Sequence, residues 1–314
     1  MTILYFEPLS RGFARMKKAL FNPFDLKKWF VVGFTAFLAG LTDFHGGGDS
    51  GGKGGGTVDW EDVLYFPQKA VEWLTENPMW AILIAFGAVL LLVLGVFIAW
   101  WSSRGKFMFL DNVVHDRAQV RAPWNEYRAE GNSLFLVSLS LAAIVFVIVI
   151  GYVIQCFTTL QGIYEGGETE KALIVPAILM GLGLLAIFLL SSFISLVLRD
   201  FVVPIMYKDR ITTLKAVGKF FTLFMSRLIF FVGYALFTFL IMLIVVIGVV
   251  IIGLATCCVG FVLFALPYIN AVVLLPVSYT LRAFSVEFLE QFGPEYQIFP
   301  RESATSTGTE TKIA

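Results

Sequence analysis

The chain has 314 residues, of which 58% are hydrophobic, and its formal net charge is zero. With a mean hydropathy of +0.82 it lies well outside the soluble range, which excludes an ordinary soluble domain. Five stretches of 23 to 27 residues contain no Asp, Glu, Lys, Arg or His, and each is long enough to cross a bilayer as a helix. The sequence therefore predicts an integral membrane protein of the all-α class.

The N-terminal segment, residues 1–28, predicts a cytoplasmic amphipathic helix. Its apolar residues recur at helical spacing, and its basic residues share another face. The apolar set is Leu9, Phe13, Met16 and Leu20, and the basic set is Arg11, Arg15 and Lys18. Helices of this kind lie on anionic membrane surfaces.

Residues 29–280 predict a membrane domain with six spans. The spans are 29–44, 79–101, 133–157, 172–198, 228–254 and 257–280. The first is short, but Lys27 and Lys28 at its start can extend towards the interface. An external Gly-rich tract, 45–56, predicts a flexible linker. Residues 281–314 predict a cytoplasmic amphipathic helix and a disordered tail.

The basic residues set the predicted topology. Of 23 Lys and Arg residues, 20 fall in the N-terminal segment, the second and fourth loops and the C-terminal tail, and three fall in the remaining loops. The positive-inside rule then predicts a multi-pass protein of the cell (inner) membrane with both termini in the cytoplasm. The split also supports the first span, because without it the N-terminal and second-loop bases would lie on opposite sides.

Two further amphipathic stripes are predicted at the cytoplasmic face. The first has Ile211, Leu214, Val217 and Phe221 on its apolar side. The second has Leu281, Phe284, Ser285 and Phe288 on its apolar side, opposite a polar side of Arg282, Glu287 and Glu290. We interpret both as helices that seat the protein at the interface; recognition of lipids or a partner is the alternative.

No catalytic, cofactor-binding or metal-binding residue is predicted. The segment 47–53 partly matches a phosphate-binding loop, but no Ser or Thr follows its Lys and the topology places it outside the cell. The pair His115 and Asp116 has no further metal ligands on its side of the membrane, so a solvated polar turn is expected. The second-loop carboxylates, Asp111 among them, are also expected to be solvated. Serines within the spans lack a neighbouring base, which favours a packing role.

A small set of polar or helix-breaking residues interrupts the spans: Gln155, Pro176, Pro267, Tyr268, Asn270 and Pro276. Broken helices with a midplane amide occur in transporters. Proton- or voltage-coupled proteins carry intramembrane charge, and the five long spans carry none, so packing is the leading interpretation and permeation the alternative.

Three cysteines, Cys156, Cys257 and Cys258, are predicted near the outer ends of their spans. In an oxidising compartment Cys156 can form a bridge with one of the other two. The alternative is that all three pack as small apolar residues.

Several loop segments together resemble a family of uncharacterised prokaryotic polytopic membrane proteins. They are FNPFDLKKWFVVGFTAFLAG, RGKFMFLDNVV with VRAPWNEY and GNSLF, and LRDFVVPIMYKDRITTLKAVGKFFTLF. The last is also similar to the membrane domain fused to some glycerophosphoryl diester phosphodiesterases, whose catalytic domain this sequence lacks. The resemblance covers most of residues 20–290 and implies a polytopic membrane fold without an assigned activity. In the last segment Val203 precedes Pro204, which predicts that the helix ends or changes direction there.

The sequence thus predicts a bundle of six transmembrane helices with short cytoplasmic amphipathic helices. The leading functional interpretation is a non-enzymatic membrane scaffold or partner-binding subunit of the cell envelope. A permease or channel for a small or lipidic solute is the alternative, and a membrane enzyme comes third. The expected partners are the bilayer, anionic lipids at the cytoplasmic face and membrane proteins. No nucleic acid or cofactor is expected, and the oligomeric state is left open.

Overall fold

A computed structural model of the chain describes residues 3–42, 63–166, 171–256 and 266–300. This described part is helical and contains no β-strand. Its helices are α1 (Phe6–Phe21), α2 (Leu26–Gly40), α3 (Phe66–Glu76), α4 (Pro78–His115), α5 (Arg121–Glu126), α6 (Arg128–Glu165), α7 (Lys171–Val197), α8 (Val203–Asp209), α9 (Thr213–Ala255), α10 (Pro267–Val273) and α11 (Leu275–Glu290). A π-helical turn, Leu198–Val202, joins α7 to α8, and a 3-10 turn, Pro294–Tyr296, follows α11.

Four helices are long and apolar enough to cross a membrane: Pro78–His115, Arg128–Glu165, Ala172–Asp209 and Thr213–Ala255. They correspond to α4, α6, the continuous run of α7 and α8, and α9, and they contain the second to fifth predicted spans. A helix of 38 residues is about 57 Å long, almost twice the roughly 30 Å thickness of the hydrocarbon core. Each of the three 38-residue helices is therefore longer than a single crossing requires.

The long helices have an exposed apolar part and a buried part. In α4, most large apolar side chains from Met79 to Trp101 are exposed, whereas nearly all of Ser102–Val114 is buried. We call the end of the bundle that contains the buried part the inner end. The outer end is the opposite one, which contains Pro78, Glu165 and Ala255. Packing is therefore concentrated at the inner end, and the apolar surfaces of the outer part are suited to contact with lipid.

At the centre of the inner end lies α11, which is buried on nearly all sides. Arg282 and Glu287 are each only 5% exposed, so the prediction that they form a solvated polar face is wrong. The reason is that other helices cover this face and pair its charges. Helix α1 crosses α11 at Gly12, where a Cβ atom would lie 3.0 Å from the backbone nitrogen of Phe284. A side chain at this position would require the two helices to move slightly apart, which glycine avoids.

The short helix α2 packs against the inner half of α4. A Cβ atom on Gly105 of α4 would lie 2.7 Å from the backbone of α2, and the hydroxyls of Thr42 and Ser102 are 2.9 Å apart. With 15 residues, α2 is about 22 Å long. The predicted first span, 29–44, thus lies largely beside the inner part of α4 and not beside Met79–Trp101. Its last two residues are outside the described part.

The long helix that contains α7 does not end at Val203, where the following proline predicts an end or a change of direction. It widens into the π-helical turn and continues as α8 to Asp209. Pro204 has no N–H to donate, and a wider turn accommodates its ring within a continuous helix. Val202 and Val203 are fully buried, so packing at the inner end stabilises this turn.

Helix α9 contains a sharp bend at Arg227, whose backbone angles (φ −138°, ψ 30°) are not helical. The rings of Phe220 and Phe231 on either side are 5.0 Å apart, whereas a straight helix would separate these positions by about 16 Å. The part before the bend carries the predicted stripe, of which Leu214 and Phe221 are exposed, whereas Ile211 and Val217 pack against the core. That stripe therefore lies at the edge of the packed core.

Candidate functional site

Asp111, near the end of α4, is a fully buried carboxylate at the inner end. It accepts hydrogen bonds from Arg117 (Nη2 to Oδ2, 2.7 Å) and from the Tyr207 hydroxyl (3.0 Å). His115 Nδ1 lies 3.2 Å from both Asp111 Oδ1 and the Tyr207 hydroxyl. Hydrogen bonding to the carboxylate raises the pKa of Arg117. The prediction of a solvated Asp111 is therefore wrong. His115 and Asp116 are exposed where α4 ends, as expected for a solvated turn, although His115 also contacts the buried carboxylate.

A second ion pair connects the π-helical turn to α9 and α11. Asp200 Oδ1 accepts a hydrogen bond from Arg199 Nε (2.8 Å), and its Oδ2 accepts one from the Tyr234 hydroxyl (3.0 Å). Arg282 Nη1 donates to the backbone carbonyl of Arg199 (2.6 Å). These contacts hold the π-helical turn, α9 and α11 together around the buried carboxylate of Asp200.

A third ion pair connects the two ends of the described chain. Glu287 Oε1 accepts a hydrogen bond from Arg15 Nε (2.7 Å), and the Arg15 guanidinium lies 3.7 Å above the ring of Phe299. Glu290 accepts hydrogen bonds from the backbone N–H groups of Ile298 and Phe299, each at 2.7 Å. Burial raises the pKa of Glu290. These contacts hold α1 and the segment after α11 on the same surface, where a polar cleft of about 460 Å³ lies.

An apolar cleft of about 500 Å³ lies between α4, α6 and α7. Thr42, Lys106 and Arg199 line its inner end. The next turns outwards contribute hydroxyl groups from Ser103, Ser138, Ser191 and Ser195, and beyond them the walls are apolar: Leu141, Ala142, Val145, Phe146 and Val149. A smaller groove of about 230 Å³ lies between α7 and α9 and shares Ser195 and Arg199 with the first.

Three of the predicted polar or helix-breaking positions lie apart from these clefts. Gln155 is exposed on the outer part of α6, Pro176 lies within α7, and Pro276 lies in the first turn of α11. None of these three lines any of the clefts described above. Pro267 is the first residue of α10.

Tyr268 and Asn270, both on α10, face the inner end. The Tyr268 hydroxyl donates to the carbonyl of Phe30 (3.0 Å), so α10 is joined to α2. The side-chain oxygen of Asn270 is buried and has no hydrogen-bond partner among the residues that the structure describes. Neither residue lines the clefts described above.

Other predictions fall on residues outside the described part. They are the Gly-rich tract 45–56, the cysteines Cys257 and Cys258, and the tail 301–314. Cys156 lies on the outer half of α6. The disulfide between Cys156 and one of the paired cysteines stays a prediction.

The loop segments that carry the family resemblance meet at the inner end, which sequence reasoning did not predict. Tyr127 of the second segment stacks on Tyr207 of the last, with ring centroids 4.8 Å apart, and Tyr207 binds Asp111. The Arg104 guanidinium lies over the rings of both Trp100 (4.4 Å) and Trp124 (4.8 Å), which contact each other edge to face. The sequence did contain one signal for the buried ion pair of Asp111. This residue is flanked by apolar residues, and a lone carboxylate in an apolar run indicates a buried pair.

The described part of the chain is all-helical, with four helices long and apolar enough to cross a membrane and one packed, charged end, and these features are those of an α-helical membrane protein. The chain belongs to a family of unknown function, DUF7544, whose model matches residues 5–291. No curated protein and no solved structure matches it. The family agrees with the resemblance to uncharacterised proteins, and no link to the phosphodiesterase-associated membrane domains is shown.

Proposed function

We propose that the protein is a non-enzymatic scaffold of the cell membrane that presents a rigid cytoplasmic surface to lipids and membrane-protein partners. The observation that carries this proposal is the pairing of the buried carboxylates Asp111, Asp200 and Glu287, each held by a cation. The pair of Glu287 with Arg15 joins residues far apart in the sequence. Asp111 and Asp200 are joined to distant helices by the hydroxyl groups of Tyr207 and Tyr234. Buried charges used in this way fix helices in position, whereas a general acid or base must reach a substrate.

The proposal includes six membrane crossings, two more than the four long helices supply. Thr42 contacts Ser102 at the inner end, while Gln161 near the outer end donates to the carbonyl of Leu64 (2.6 Å). Thr42 and Leu64 therefore lie near opposite ends of the bundle, as do Ala255 and Tyr268, which binds α2 at the inner end. Most of the residues between each pair lie outside the described part, and the two additional crossings are proposed from the hydrophobic runs 29–44 and 257–280.

Both termini are proposed to face the cytoplasm. The backbone N–H of Leu4 donates to Gln291 Oε1 (3.0 Å), which supports a shared side for the two ends of the described chain. In the predicted topology 20 Lys and Arg residues lie on the side of the inner end and three lie on the other side. The positive-inside rule therefore favours the inner end as the cytoplasmic one.

Anionic lipids are the proposed partners of α1 and the turn that follows it. Phe13, Phe21 and Phe24 are about half exposed, and Lys17 and Lys27 are exposed beside them. Exposed aromatic and basic side chains together favour binding to an anionic leaflet, where the rings enter the interface and the ammonium groups meet phosphate.

The proposal is tested by topology and by co-purification. Reporter fusions after Gly56 and Glu168 should be external, and fusions after Arg121 and Lys215 and at the C-terminus should be cytoplasmic. A cytoplasmic result at Gly56 would overturn the six-crossing arrangement.

For the scaffold role, the protein is purified in mild detergent and the bound lipids and proteins are measured by mass spectrometry. Anionic lipid enrichment and a partner at constant ratio are expected, and both should decrease in the double variant Lys17→Glu, Lys27→Glu. A protein that retains neither lipid nor partner would contradict the proposal.

A permease is the second candidate, and the unpaired, buried side-chain oxygen of Asn270 favours it. If this residue only packs, Asn270→Leu should change stability little, because polar contacts between membrane helices contribute about 0.6 kcal/mol. If it lines a solute path, the variant should fold normally and lose uptake in proteoliposomes. Unchanged uptake and stability would support the scaffold.

A further inference from the structure

We infer that a cluster of side chains around Arg104, where α4 meets α5 and α6, binds the phosphate group of a membrane lipid. The cluster consists of Trp100 and Arg104 of α4, Trp124 of α5, and Arg128 and Asn132 of α6. None of these residues belongs to α1, which carries the lipid binding of the proposed scaffold. The inference goes beyond that role and requires only that α4 and α6 cross the membrane.

Arg104 is a buried cation without an acidic partner. The residue is 6% exposed, and α6 covers its aliphatic stem at Gly131, where a Cβ atom would lie 2.9 Å from Arg104 Cγ. In the part of the chain that the structure describes, no acidic side chain forms an ion pair with its guanidinium. The two acidic residues next to the cluster in sequence, Glu126 and Glu130, pair with Arg210 instead. A buried charge that is not compensated is costly, and a bound anion removes this cost.

The polar groups of the cluster that lack a partner are hydrogen-bond donors. Asn132 Oδ1 accepts hydrogen bonds from Trp100 Nε1 (3.2 Å), Arg104 Nε (3.3 Å) and Arg104 Nη2 (2.9 Å). These contacts use the amide oxygen and two of the five N–H groups of Arg104. Among the described residues no acceptor is found for the other three, nor for the amide N–H groups of Asn132. An oxyanion supplies acceptors for these donors, and the planar guanidinium matches two oxygens of a phosphate.

The unpaired N–H groups of Arg104 can be reached by a ligand. Two side-chain atoms of the described residues are fully buried without a hydrogen-bond partner, Thr238 Oγ1 and Asn270 Oδ1. Arg104 Nη1 also has no partner but is not one of these two atoms, so it retains contact with the surroundings. Arg128 is exposed, and its positive charge acts on Arg104. An anion that binds Arg104 is therefore also attracted by a second cation.

The depth of the cluster indicates a lipid as the source of the phosphate. The large apolar side chains of α4 from Met79 to Trp101 are mostly exposed, as expected of a surface that contacts hydrocarbon. Trp100 and Trp101 end this surface, and tryptophan is enriched at the interface between hydrocarbon and head groups. The Arg104 guanidinium lies 4.4 Å from the centre of the Trp100 ring, so it lies at the depth of this interface. The phosphate groups of the adjoining leaflet lie at the same depth.

The test is a lipid titration of the purified full-length protein in neutral detergent, followed by native mass spectrometry. The probes are dioleoyl phosphatidylglycerol and dioleoylglycerol, which has the same acyl chains and no phosphate. We expect the wild type to bind phosphatidylglycerol about tenfold more tightly, the preference expected from one charge-assisted contact. Arg104→Gln should remove most of this preference. Equal binding of the two probes by the wild type would overturn the assignment of a phosphate.

A matched pair of variants tests the cluster without changing a buried residue. Arg128→Gln and Arg121→Gln each remove an exposed cation close to Trp124 in sequence, but only Arg128 belongs to the cluster. Arg128→Gln should weaken the binding of phosphatidylglycerol about threefold, as expected for an exposed charge, and Arg121→Gln should leave it unchanged. Equal affinities of these two variants would overturn the assignment to the cluster.

Equilibrium dialysis with inorganic phosphate distinguishes a lipid from a soluble ligand. We expect weak binding of inorganic phosphate at most, because it lacks the acyl chains that enter the hydrocarbon. If inorganic phosphate bound to the wild type but not to Arg104→Gln, while phosphatidylglycerol bound equally to both, the ligand would be a soluble phosphate and the assignment to a lipid would be overturned. The scaffold proposal would be unaffected by any of these results.

Discussion

Replacement of Asp111 by Asn tests whether the buried ion pairs stabilise the inner end. The substitution keeps the size of the side chain and removes a charge from a site that is fully buried. Removal of one partner of a buried pair costs about 3–5 kcal/mol. The Arg117 side chain is 33% exposed and regains some hydration, so we expect Asp111→Asn to lower the free energy of unfolding by about 2–4 kcal/mol.

The measurement is unfolding of the purified protein in mixed detergent micelles, followed by tryptophan fluorescence. Asp209→Asn is the matched control, because its ion pair with Lys219 has a similar distance (2.8 Å) but both side chains are more than a quarter exposed. Pairs of that kind contribute at most about 1 kcal/mol. If the two variants lost the same stability, the buried networks could not be the main support of the inner end.

Three further predictions concern packing, pH and redox state. Gly105→Ala should lower the free energy of unfolding by about 1–3 kcal/mol, because the new methyl group meets the backbone of α2. Gly95→Ala is the control, since Gly95 has open space around it, and it should be neutral or stabilising. Both variants are compared with the wild type in a thermal melt. Burial raises the pKa of Glu290, so its contribution to stability is present at low pH and is lost as the pH rises above the ordinary value of 4.5. In denaturation curves, the stability of Glu290→Gln relative to the wild type should therefore increase as the pH rises from 4.5 to the raised pKa of Glu290, and a difference that is constant with pH would contradict this reasoning. In native protein, non-reducing peptide mass spectrometry should link Cys156 to one of Cys257–Cys258, and complete thiol labelling without reductant would exclude the bridge.

The long helices could be predicted from the sequence because their signal is local. An uncharged run such as 79–101 must be helical in lipid, whatever surrounds it, since its backbone groups can pair only within the helix. The depth at which a short helix lies is not a local property. Helix α2 has the composition of a membrane span, yet its position is set by close contact with Gly105 of α4.

The charged core could not be predicted because burial depends on distant partners. Periodicity places Arg282 and Glu287 opposite Phe284, which indicates a solvated face if α11 is considered alone. In the structure Arg15, 272 residues earlier, pairs with Glu287. The clefts could not be predicted for a related reason. Their volume depends on the distances between helices, and these distances cannot be derived from a single sequence.

The contact between α1 and α11 has a consequence for biosynthesis. Arg15 leaves the ribosome 272 residues before its partner Glu287, and translation at roughly 5–20 residues per second makes this interval on the order of 15–60 s. During that time the membrane helices are inserted, and α1 has no contact with α11 because α11 has not yet been synthesised. The inner end can therefore close only after nearly the whole chain has been made, and a ribosome that stalls before α11 leaves a protein that is inserted but unassembled.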